Sequence, residues 1–532
     1  MKTEYALTYD IGTTGVKTCI FEITDTIRLL GAASEGYELY VLPDGGAEQD
    51  PDEWWAAMCH TTGKALKASG ISCDRIGGIS FCSQMQGVVL VDKDGNAVRR
   101  AMSYMDQRAG EELKKGMAHG FQIAGANVPK LLKSLKITGA VAGSVKDPVW
   151  KYKWVEAHEP ENFAKVYKWL DVKEYLIARM TGEFCMTPDS AFATELYDIR
   201  EGKKCFSKEM TDMLGVNFDH LPEIRPCTEK IGELREAQAK ELGLIPGIAV
   251  FGGGGDASLI GVGAGSVDPG DTHIYNGTSG WVSTVVEKSI VDASAMIAAV
   301  TGAVPGRYNY FAELETAGKC LEWVKDHLCE DEIGVYLKKE RISDTYEKEY
   351  TSLYDYLTEV MSKVPAGSNG VVFTPWLHGN RCPFEDSRAK GMFINIGLET
   401  GKSDMLRSVV EGVCYHMRWF LETEDRKVKT GDPVRFVGGG ALSPVTCQIL
   451  SDVTGKKIET VDNPQNVGAV GAAVLVAVGL GLIAEVSDAK KLIPVVKTYY
   501  PDAENKKIYD KYFAVFKQLY KTNKPNFALL NG

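Results

Sequence analysis

The sequence predicts an α/β protein of two domains that face a central cleft, on three observations. At 532 residues the chain is longer than one hydrophobic core usually supports. Segments with strand and helix patterns alternate along it. A glycine- and hydroxyl-rich stretch near the N-terminus recurs almost half the chain later, which indicates a duplicated unit.

The first copy of this stretch is YDIGTTGVKTCIFE, residues 9–22. An apolar, β-prone run over Tyr5–Tyr9 is interrupted at Gly12 and Gly15, and an extended pattern resumes over Thr18–Glu22. Two strands joined by small residues predict a β-hairpin with a tight tip. We call Asp10–Lys17 the first hairpin.

The second copy is HIYNGTSGWVSTVVE, residues 273–287, and predicts the same structure. We call Asn276–Gly280 the second hairpin. Each hairpin would open one domain, and Leu242–Pro246 is predicted to connect them. The predicted domains are residues 1–246 and 247–495, followed by a C-terminal helical tail over 496–532.

Apolar residues at helical spacing predict the remaining helices, as in the stretch that holds Trp54, Trp55 and Met58. The predicted helices are Asp52–Lys67, Lys173–Met180, Ser403–Leu421, Val445–Val453, Asn466–Gly481 and, as a surface helix in a tail rich in Lys, Tyr and Asp, Lys507–Tyr520. The small residues of Asn466–Gly481 suit a closely packed core helix. Short apolar runs predict strands at Ile76–Cys82, Val88–Val91, Ile248–Phe251 and Val434–Val437.

Composition narrows the functional class. A net charge of −11 argues against general nucleic-acid binding, although a local basic site for a small anion stays open. The most apolar stretch, Val467–Ile483, is broken by glycines, and the N-terminus lacks the apolar run of a signal peptide. The twelve cysteines contain no C-x-x-C pair. We therefore expect core thiols in a cytoplasmic protein without membrane contact; the sequence leaves its oligomeric state open, a homodimer included.

The first hairpin has three common interpretations besides the one developed below. A P-loop needs G-x-x-x-x-G-K-[ST] before a helix, but here Gly12 and Gly15 are followed by a strand. A dinucleotide loop fits only loosely, at Gly252–Ala257, where Asp256 would repel a pyrophosphate. An ordinary hairpin accounts for the glycines but not for Asp10, an acid that ends a buried strand.

The hairpin of the actin-like ATPases accounts for all of these residues. Backbone N–H groups of Gly12–Gly15 and the hydroxyls of Thr13 and Thr14 would bind the β- and γ-phosphates, and Asp10 would hold Mg²⁺ through its waters. Gly277 and Thr278 would clasp the phosphates from the other side. The neutral Asn276 replaces the acid there, which avoids a second charge beside the phosphates.

With both hairpins assigned, the chain resembles the FGGY carbohydrate kinases, and within them the xylulokinase-like branch. The resemblance spans almost the whole chain and depends on the order and spacing of eight short stretches. They are DIGTTGVK (10–17), SQMQG (83–87), DQR (106–108), GGGD (253–256), NGTSG (276–280), TAGKCLEW (316–323), GNRCP (379–383) and GGGALSP (438–444). The resemblance implies two actin-like (ribonuclease H-like) ATPase domains facing a central cleft.

It also implies a catalytic residue, Asp256, which would accept the proton of the sugar hydroxyl as that oxygen attacks the γ-phosphorus of ATP. A strand end behind four glycines suits that role, since other groups can approach closely. The alternative is that Asp256 only caps the helix that follows.

The implied substrate-binding residues are Gln84, Met85, Gln86, Asp106, Arg108 and Asp256. Gln86 and Ala257 stand where xylulokinases commonly have His and Asn, so a ketopentose is favoured but another polyol stays open. Asp106 and Arg108 either bind sugar hydroxyls or pair with each other.

The implied ATP-binding residues are Gly12, Thr13, Thr14, Lys17, Gly277, Thr278, Gly318, Trp323, Gly439, Gly440 and Ser443. Trp323 has a core position as its alternative.

The sequence thus predicts an ATP- and Mg²⁺-dependent kinase that phosphorylates a primary hydroxyl of a ketopentose, most plausibly D-xylulose. The alternatives are a kinase for ribulose, erythrulose, glycerol or a deoxy-sugar, and a non-catalytic actin-like nucleotide-binding protein. Asp256 argues against the last, which has no need of a base in its cleft.

Overall fold

The structure is a computed structural model that describes residues 3–123, 126–329 and 353–532. Two large sheets organise it. The strands of the first sheet lie in the order Lys230–Glu233, Ala249–Phe251, Ile76–Ser83, Glu4–Ile11, Gly15–Ile23 and Ile27–Gly36, with Gly254–Gly255 also paired to Ile76–Ser83. The three N-terminal strands form an antiparallel meander, and Glu4–Ile11 runs parallel to Ile76–Ser83.

The second sheet repeats this plan. Its strands lie in the order Val291–Asp292, Ile297–Thr301, Tyr308–Leu314, Gly280–Val286, Thr272–Asn276, Val434–Val437, Ile458–Val461 and Val495–Tyr499. Again three neighbouring strands are antiparallel, Thr272–Asn276, Gly280–Val286 and Tyr308–Leu314, although two short strands intervene in sequence before the last of them. The first of the three, Thr272–Asn276, runs parallel to Val434–Val437. The predicted duplication of an α/β unit is confirmed by this shared strand order.

Helices cover the two sheets and fill the space between them. The longer ones are Pro51–Ser69, Val128–Ile137, Pro148–His158, Val172–Thr181, Asp256–Gly263, Gly318–Leu328, Leu353–Ser362, Lys402–Glu424, Pro444–Thr454, Val467–Gly479 and Ala503–Asn531. Shorter helices are Gly110–Gly116, Pro160–Phe163, Pro188–Ala193, Lys208–Leu214, Glu236–Leu242 and Ala489–Leu492. Among the described residues, no helix combines the length and the apolar content that crossing a bilayer requires.

Small sheets of two or three short strands complete the fold. In the first half they are formed by Tyr40–Val41, Ala47–Gln49 and Ala101–Met102, by Val89–Val91 and Lys168–Leu170, by Gln122–Ile123 and Ala126–Asn127, by Cys185–Met186 and Glu223–Ile224, and by Tyr197–Asp198 and Cys205–Phe206. In the second half Val372–Thr374 pairs with Met392–Ile394. Nine of the twelve cysteines are buried, as expected of core thiols.

The first sheet continues beyond residue 246, where the sequence analysis ended the first domain. The strand Ala249–Phe251 pairs in parallel with Ile76–Ser83 of the first sheet. The second sheet begins only at Thr272. A boundary after residue 246 would remove a hydrogen-bonded strand from its sheet, so the structural division lies between Gly263 and Thr272.

The C-terminal tail belongs to the second domain. Its helix, Ala503–Asn531, buries Tyr509, Phe513, Phe516 and Phe527 in the core that also holds the inner faces of the second sheet. The prediction of a surface helix over Lys507–Tyr520 is therefore wrong for one face of the helix, which is buried against the second domain.

The helix Val467–Gly479 lies between the two sheets and is buried along most of its length, as predicted. It crosses the helix Asp256–Gly263 at backbone contact. A Cβ atom on Gly263 would lie 1.8 Å from the Val467 carbonyl oxygen, and one on Gly471 would lie 2.3 Å from the Leu259 carbonyl oxygen. Only glycine permits this approach at either position.

Candidate active site

The first hairpin has a closed tip whose carbonyl groups are held from behind. The Gly12 N–H donates to the Gly15 carbonyl at 2.9 Å. The Tyr37 hydroxyl donates to the Gly12 carbonyl at 2.5 Å, and the Gln49 amide donates to the Thr13 carbonyl at 2.6 Å. In the described part of the chain, the N–H groups of Thr13 and Thr14 donate to no acceptor. Two backbone donors at one tip suit an anion.

The second hairpin has a similar tip that is one residue shorter, and its support is different. The Gly277 N–H donates to the Ser279 carbonyl at 3.0 Å. The Gly318 N–H donates to the Gly277 carbonyl at 2.8 Å, and the N–H groups of Ala317 and Lys319 donate to the Thr278 carbonyl. Across the described ranges, the N–H groups of Thr278 and Ser279 have no acceptor. The start of the helix Gly318–Leu328 therefore buttresses this tip.

Asn276 connects the second hairpin to the glycine motif near residue 439. A Cβ atom on Gly318 would lie 3.3 Å from the Asn276 Oδ1 atom, and one on Gly440 would lie 2.7 Å from its Nδ2 atom. The buried Oδ1 atom has no hydrogen-bond partner in the described part of the protein. The sequence placed this amide beside the phosphates; the structure places it between two stretches assigned to ATP.

Asp10 is the last residue but one of the first strand and lies directly opposite Lys17 in the hairpin register. Burial raises the pKa of Asp10, while the Lys17 charge and a hydrogen bond from the Cys82 thiol oppose the shift. The Lys17 ammonium itself donates to the Gln465 carbonyl at 2.8 Å, which ties the first hairpin to the second half of the chain. Its assignment to ATP remains a prediction.

The donor set fits Mg²⁺ held mainly by waters and phosphate. No group of three or more His, Cys, Asp or Glu side chains in a metal-binding arrangement occurs in residues 3–123, 126–329 and 353–532. Mg²⁺ commonly uses one or two carboxylates and keeps most of its waters. The partly buried Asp10 carboxylate beside two free backbone donors meets that requirement.

Asp256 is the first residue of the helix Asp256–Gly263, which follows strand pairing at Gly254–Gly255. Its Oδ1 atom accepts the Ala257 N–H at 2.8 Å, but the N-cap position of the helix is Gly255, and no side chain caps this helix. Burial raises the pKa of Asp256 to about 7, and the negative charges of Asp10 and Glu313 add to the shift. A carboxyl group poised near neutral pH matches the requirement for a general base.

Tyr275 shows that the two hairpins and Asp256 share one region. A Cβ atom on Gly277 would lie 2.2 Å from the Tyr275 hydroxyl oxygen, so the phenol lies over the second hairpin. Burial raises the pKa of Tyr275, and the charges of Asp10 and Asp256 raise it further. Tyr275 was not predicted as a site residue, because a tyrosine in a strand is usually a core residue.

Met85 and Gln84 connect the predicted sugar site to both catalytic elements. A Cβ atom on Gly255 would lie 2.2 Å from the Met85 sulfur, so Met85 packs beside Asp256. The Gln84 amide donates to the Gln49 side chain at 2.9 Å, and Gln49 in turn supports the first hairpin. The buried Gln84 Oε1 atom has no partner among the described residues.

Asp106 and Arg108 pair with each other, which is one of the two alternatives that the sequence left open. The Arg108 guanidinium donates to Asp106 at 2.7 Å and to Glu48 at 2.6 Å, and it stacks over Trp154. Asp106 is 0% exposed and also accepts the Ala47 N–H. This pairing does not decide whether they also contact a sugar, so their assignment as substrate-binding residues stays a prediction.

The predicted adenosine residues lie on one side of the second sheet. Ser443 caps the helix Pro444–Thr454, its hydroxyl accepting the Thr446 N–H at 3.3 Å. A Cβ atom on Gly439 would meet nothing within 4 Å, so this residue borders open space. Trp323 is half-buried and packs against the core of the second domain, which leaves both of its interpretations standing.

Taken together, the fold and the paired hairpins define a two-domain phosphotransferase of the actin-like class. Two family models match the sequence: the N-terminal domain of the FGGY family of carbohydrate kinases over residues 5–263, and the C-terminal domain over residues 273–480. The chain therefore belongs to the FGGY family of carbohydrate kinases. As a kinase it uses ATP, and it transfers phosphate to an alcohol group.

Relatives of several specificities resemble the chain over almost its full length. A xylulose kinase of Staphylococcus epidermidis is 27% identical, with 98% of each chain covered. A gluconokinase of Bacillus subtilis is 26% identical over 97% of this chain and 95% of its own. A xylulose kinase structure from Lactobacillus acidophilus matches with a TM-score of 0.83 at 23% identity, covering 99% of this chain and 100% of its own. That structural likeness shows the fold alone.

Proposed function

We propose that this protein transfers the γ-phosphoryl group of ATP to a primary hydroxyl of a ketopentose, D-xylulose, in the cleft between its two halves. The observation that carries the proposal is the position of Asp256. It follows the strand pairing at Gly254–Gly255, lies beside Met85, and is within reach of the Asp10 charge. Relatives named xylulose kinase support the choice of sugar.

In the proposed reaction, Asp256 accepts the proton of the sugar hydroxyl as that oxygen bonds to the γ-phosphorus. The bond from the γ-phosphorus to the β,γ-bridging oxygen breaks, and ADP leaves with that oxygen. A positioned base contributes about 10²–10⁴ in rate. The free N–H groups of both hairpins would hold the phosphates in line, which is the larger part of phosphoryl-transfer catalysis.

Asp10 would hold Mg²⁺, which when bound offsets the negative charge of the β- and γ-phosphates. All other groups of the proposed site belong to the protein chain. Closure of the halves would exclude water from the γ-phosphate, since ATP would otherwise be hydrolysed.

The second candidate function is a kinase for another polyol. It is favoured by Ala257, whose side chain offers a sugar no hydrogen bond, and whose carbonyl accepts from Asn309 at 3.2 Å. Gln86 still offers an amide. A missing hydrogen bond of this kind is worth about 1 kcal/mol, enough to change the preferred sugar.

An ADP-release assay on the full chain tests both candidates. The panel contains D-xylulose, D-ribulose, erythrulose, glycerol and gluconate, with and without Mg²⁺. The proposal expects the highest kcat/KM with D-xylulose and a phosphomonoester at its primary carbon by ³¹P NMR. A preference for another polyol would transfer the proposal to that substrate, and ATP hydrolysis indifferent to every sugar would support a nucleotide-driven binding protein instead.

The variant Asp256→Ala should lower kcat by about a hundredfold or more, since the base is lost, with the ATP dissociation constant nearly unchanged. Asp94→Ala, at an exposed acid in the same half, is the matched control and should behave as the wild type. Substantial turnover in the Asp256 variant would show that another group accepts the proton.

Location and assembly complete the proposal. The many buried thiols suit the reducing cytoplasm, which fractionation of cells that express the protein would test. A homodimer would be tested by light scattering of the purified chain.

A further inference from the structure

The segment Met85–Gly87, which we call the Gln86 loop, has an unusual backbone. It joins the strand Ile76–Ser83 to the strand Val89–Val91. Gln86 has a φ angle of 63°, in the left-handed region that residues other than glycine rarely adopt. A residue held there needs surrounding contacts that fix it.

Two buried charged residues grip the backbone of this loop. The Asp171 carboxylate accepts the Gln86 N–H at 3.0 Å and the Gly87 N–H at 2.9 Å. The Lys151 ammonium donates to the Gln86 carbonyl at 2.6 Å. Lys151 is 0% exposed and Asp171 is 3% exposed. Both polar groups of the Gln86 main chain are therefore bound by ionisable side chains inside the protein.

Lys151 also grips a second loop. Its ammonium donates to the Ser103 carbonyl at 3.0 Å. The next residue, Tyr104, accepts a hydrogen bond from the Thr13 hydroxyl of the first hairpin at 3.4 Å. On the other side, Met85 packs beside Asp256. The Lys151 ammonium thus connects the Gln86 loop to the Ser103–Tyr104 segment, which contacts the first hairpin.

Burying the Lys151 ammonium costs free energy. Burial lowers the pKa of Lys151 to about 8, and the surrounding Asp106, Asp171, Asp147 and Glu195 carboxyl groups oppose the shift. Yet in the described part of the chain Lys151 has no carboxylate within 4 Å; its hydrogen bonds go to the two loop carbonyls. A buried ammonium that holds backbone carbonyls instead of an ion-pair partner indicates a requirement for the geometry of those loops.

We propose that Lys151 and Asp171 are positioning residues that hold Gln86 in its left-handed conformation, so that its side-chain amide meets a hydroxyl of the sugar. They act through Gln86 and do not contact the substrate. The inference deepens the proposed function and rests on it. It predicts that sugar affinity, and not ATP affinity, depends on a lysine that the sugar never reaches.

The test compares Lys151→Met with Lys130→Met in the full chain. Lys130 is the matched control, since its ammonium donates to the Gly116 carbonyl at 2.6 Å in the same half of the protein. Lys151→Met should raise the KM for the sugar about tenfold, with the KM for ATP within about twofold of the wild type. Lys130→Met should leave both KM values unchanged. An unchanged sugar KM in folded Lys151→Met overturns the inference.

A double-mutant cycle separates positioning from general destabilisation. In a Gln86→Ala background there is no side-chain amide to position, so adding Lys151→Met should change the sugar KM by less than about twofold. An undiminished effect in that background would overturn the role of Gln86. If Lys151→Met fails to fold, Asp171→Asn takes its place, because an amide cannot accept both loop N–H groups as the carboxylate does. A wild-type sugar KM in that variant would equally overturn the inference.

Hydrogen–deuterium exchange of the free protein gives a readout that needs no substrate. The Gln86 and Gly87 amides should exchange faster in Lys151→Met and Asp171→Asn than in the wild type or Lys130→Met. Unchanged protection overturns the inference even if no sugar on the panel is a substrate. Wild-type protein without sugar-dependent ADP release defeats the proposed function; an active wild type with indifferent Lys151 and Asp171 variants defeats this inference alone.

Discussion

The two hairpins have similar tips, the second one residue shorter, and different surroundings. In the first hairpin, the side chains of Tyr37 and Gln49 hold the tip carbonyls. In the second hairpin, backbone N–H groups of residues 317–319 hold them. The strand before the tip has an acid, Asp10, as its last residue but one in the first copy, and it ends in an amide, Asn276, in the second.

This difference divides the work between the two halves. The charge of Asp10 helps to raise the pKa of Asp256, and in the proposed site it would also lie near the phosphates. Asn276 places no charge there; its amide lies between Gly318 and Gly440, where it links the tip to the nucleotide side of the second sheet. In the proposed site the first half thus contributes a charged side chain, and the second half contributes a neutral, closely packed amide. Exchanging the acid and the amide, or changing the residues around them, tests this division of roles.

The largest effect is expected for Asp10→Asn, which gives the first hairpin the amide of the second. Loss of the carboxylate should lower kcat by about a hundredfold or more and raise the Mg²⁺ concentration needed for half-maximal rate. Kinetics across a Mg²⁺ titration measure both. Asp25→Asn, at an exposed acid beyond the same strand pair, is the control. Normal Mg²⁺ dependence in Asp10→Asn would remove this residue from the metal site.

The reverse exchange, Asn276→Asp, should be less severe. A carboxylate wedged between Gly318 and Gly440 would lie buried without a partner and close to the bound phosphates. We expect the KM for ATP to rise about tenfold while the sugar KM stays near the wild-type value. Equal changes in both constants would indicate a general distortion of the second domain instead.

A smaller effect separates two neighbouring glycines. The added methyl group of Gly440→Ala would lie 2.7 Å from the Asn276 amide nitrogen, whereas that of Gly439→Ala would meet nothing within 4 Å. Gly440→Ala should therefore lower the melting temperature by several degrees, and Gly439→Ala should leave it unchanged. Calorimetry of the ligand-free proteins measures the difference. Equal melting temperatures would show that Asn276 is free to move away.

The smallest expected effect is on stability as a function of pH. The folded-state pKa of Asp256 is about 7, above the usual value of an aspartate, so folding favours its protonated form. That contribution is present at low pH and is lost as the pH rises through about 7. Metal-free Asp256→Asn should therefore melt a few degrees above the wild type at pH 8 and close to it at pH 4. The opposite order would show a carboxylate stabilised by its surroundings.

The sequence predicted most of the fold, because local patterns carried it. The strand Val434–Val437 was predicted with its observed bounds, and the two hairpins revealed the duplication. The predicted domain boundary follows residue 246, yet the next strand, Ala249–Phe251, pairs with the first sheet, and only its long-range partner shows this. Phe513 and Phe516 likewise became core residues through contacts distant in sequence.

In the candidate site, the local backbone was predictable where a motif fixes it, as at Asp256 and at both tips, while the roles of these residues stay predictions. It was not predictable where side chains decide the geometry. Asp106 and Arg108 matched a family stretch, but burial turned them toward each other. Tyr275 and Lys151 carried no local signal, because a strand tyrosine and a helical lysine are ordinary residues until their neighbours are known.

The crossing of the helices Asp256–Gly263 and Val467–Gly479 has a mechanical consequence. At Gly263 and Gly471 main chain lies against main chain, so a larger residue at either position would push the two helices apart. Asp256 begins one of these helices, and the same displacement would shift its carboxylate. Two glycines outside the predicted site therefore help to set where the proposed base stands.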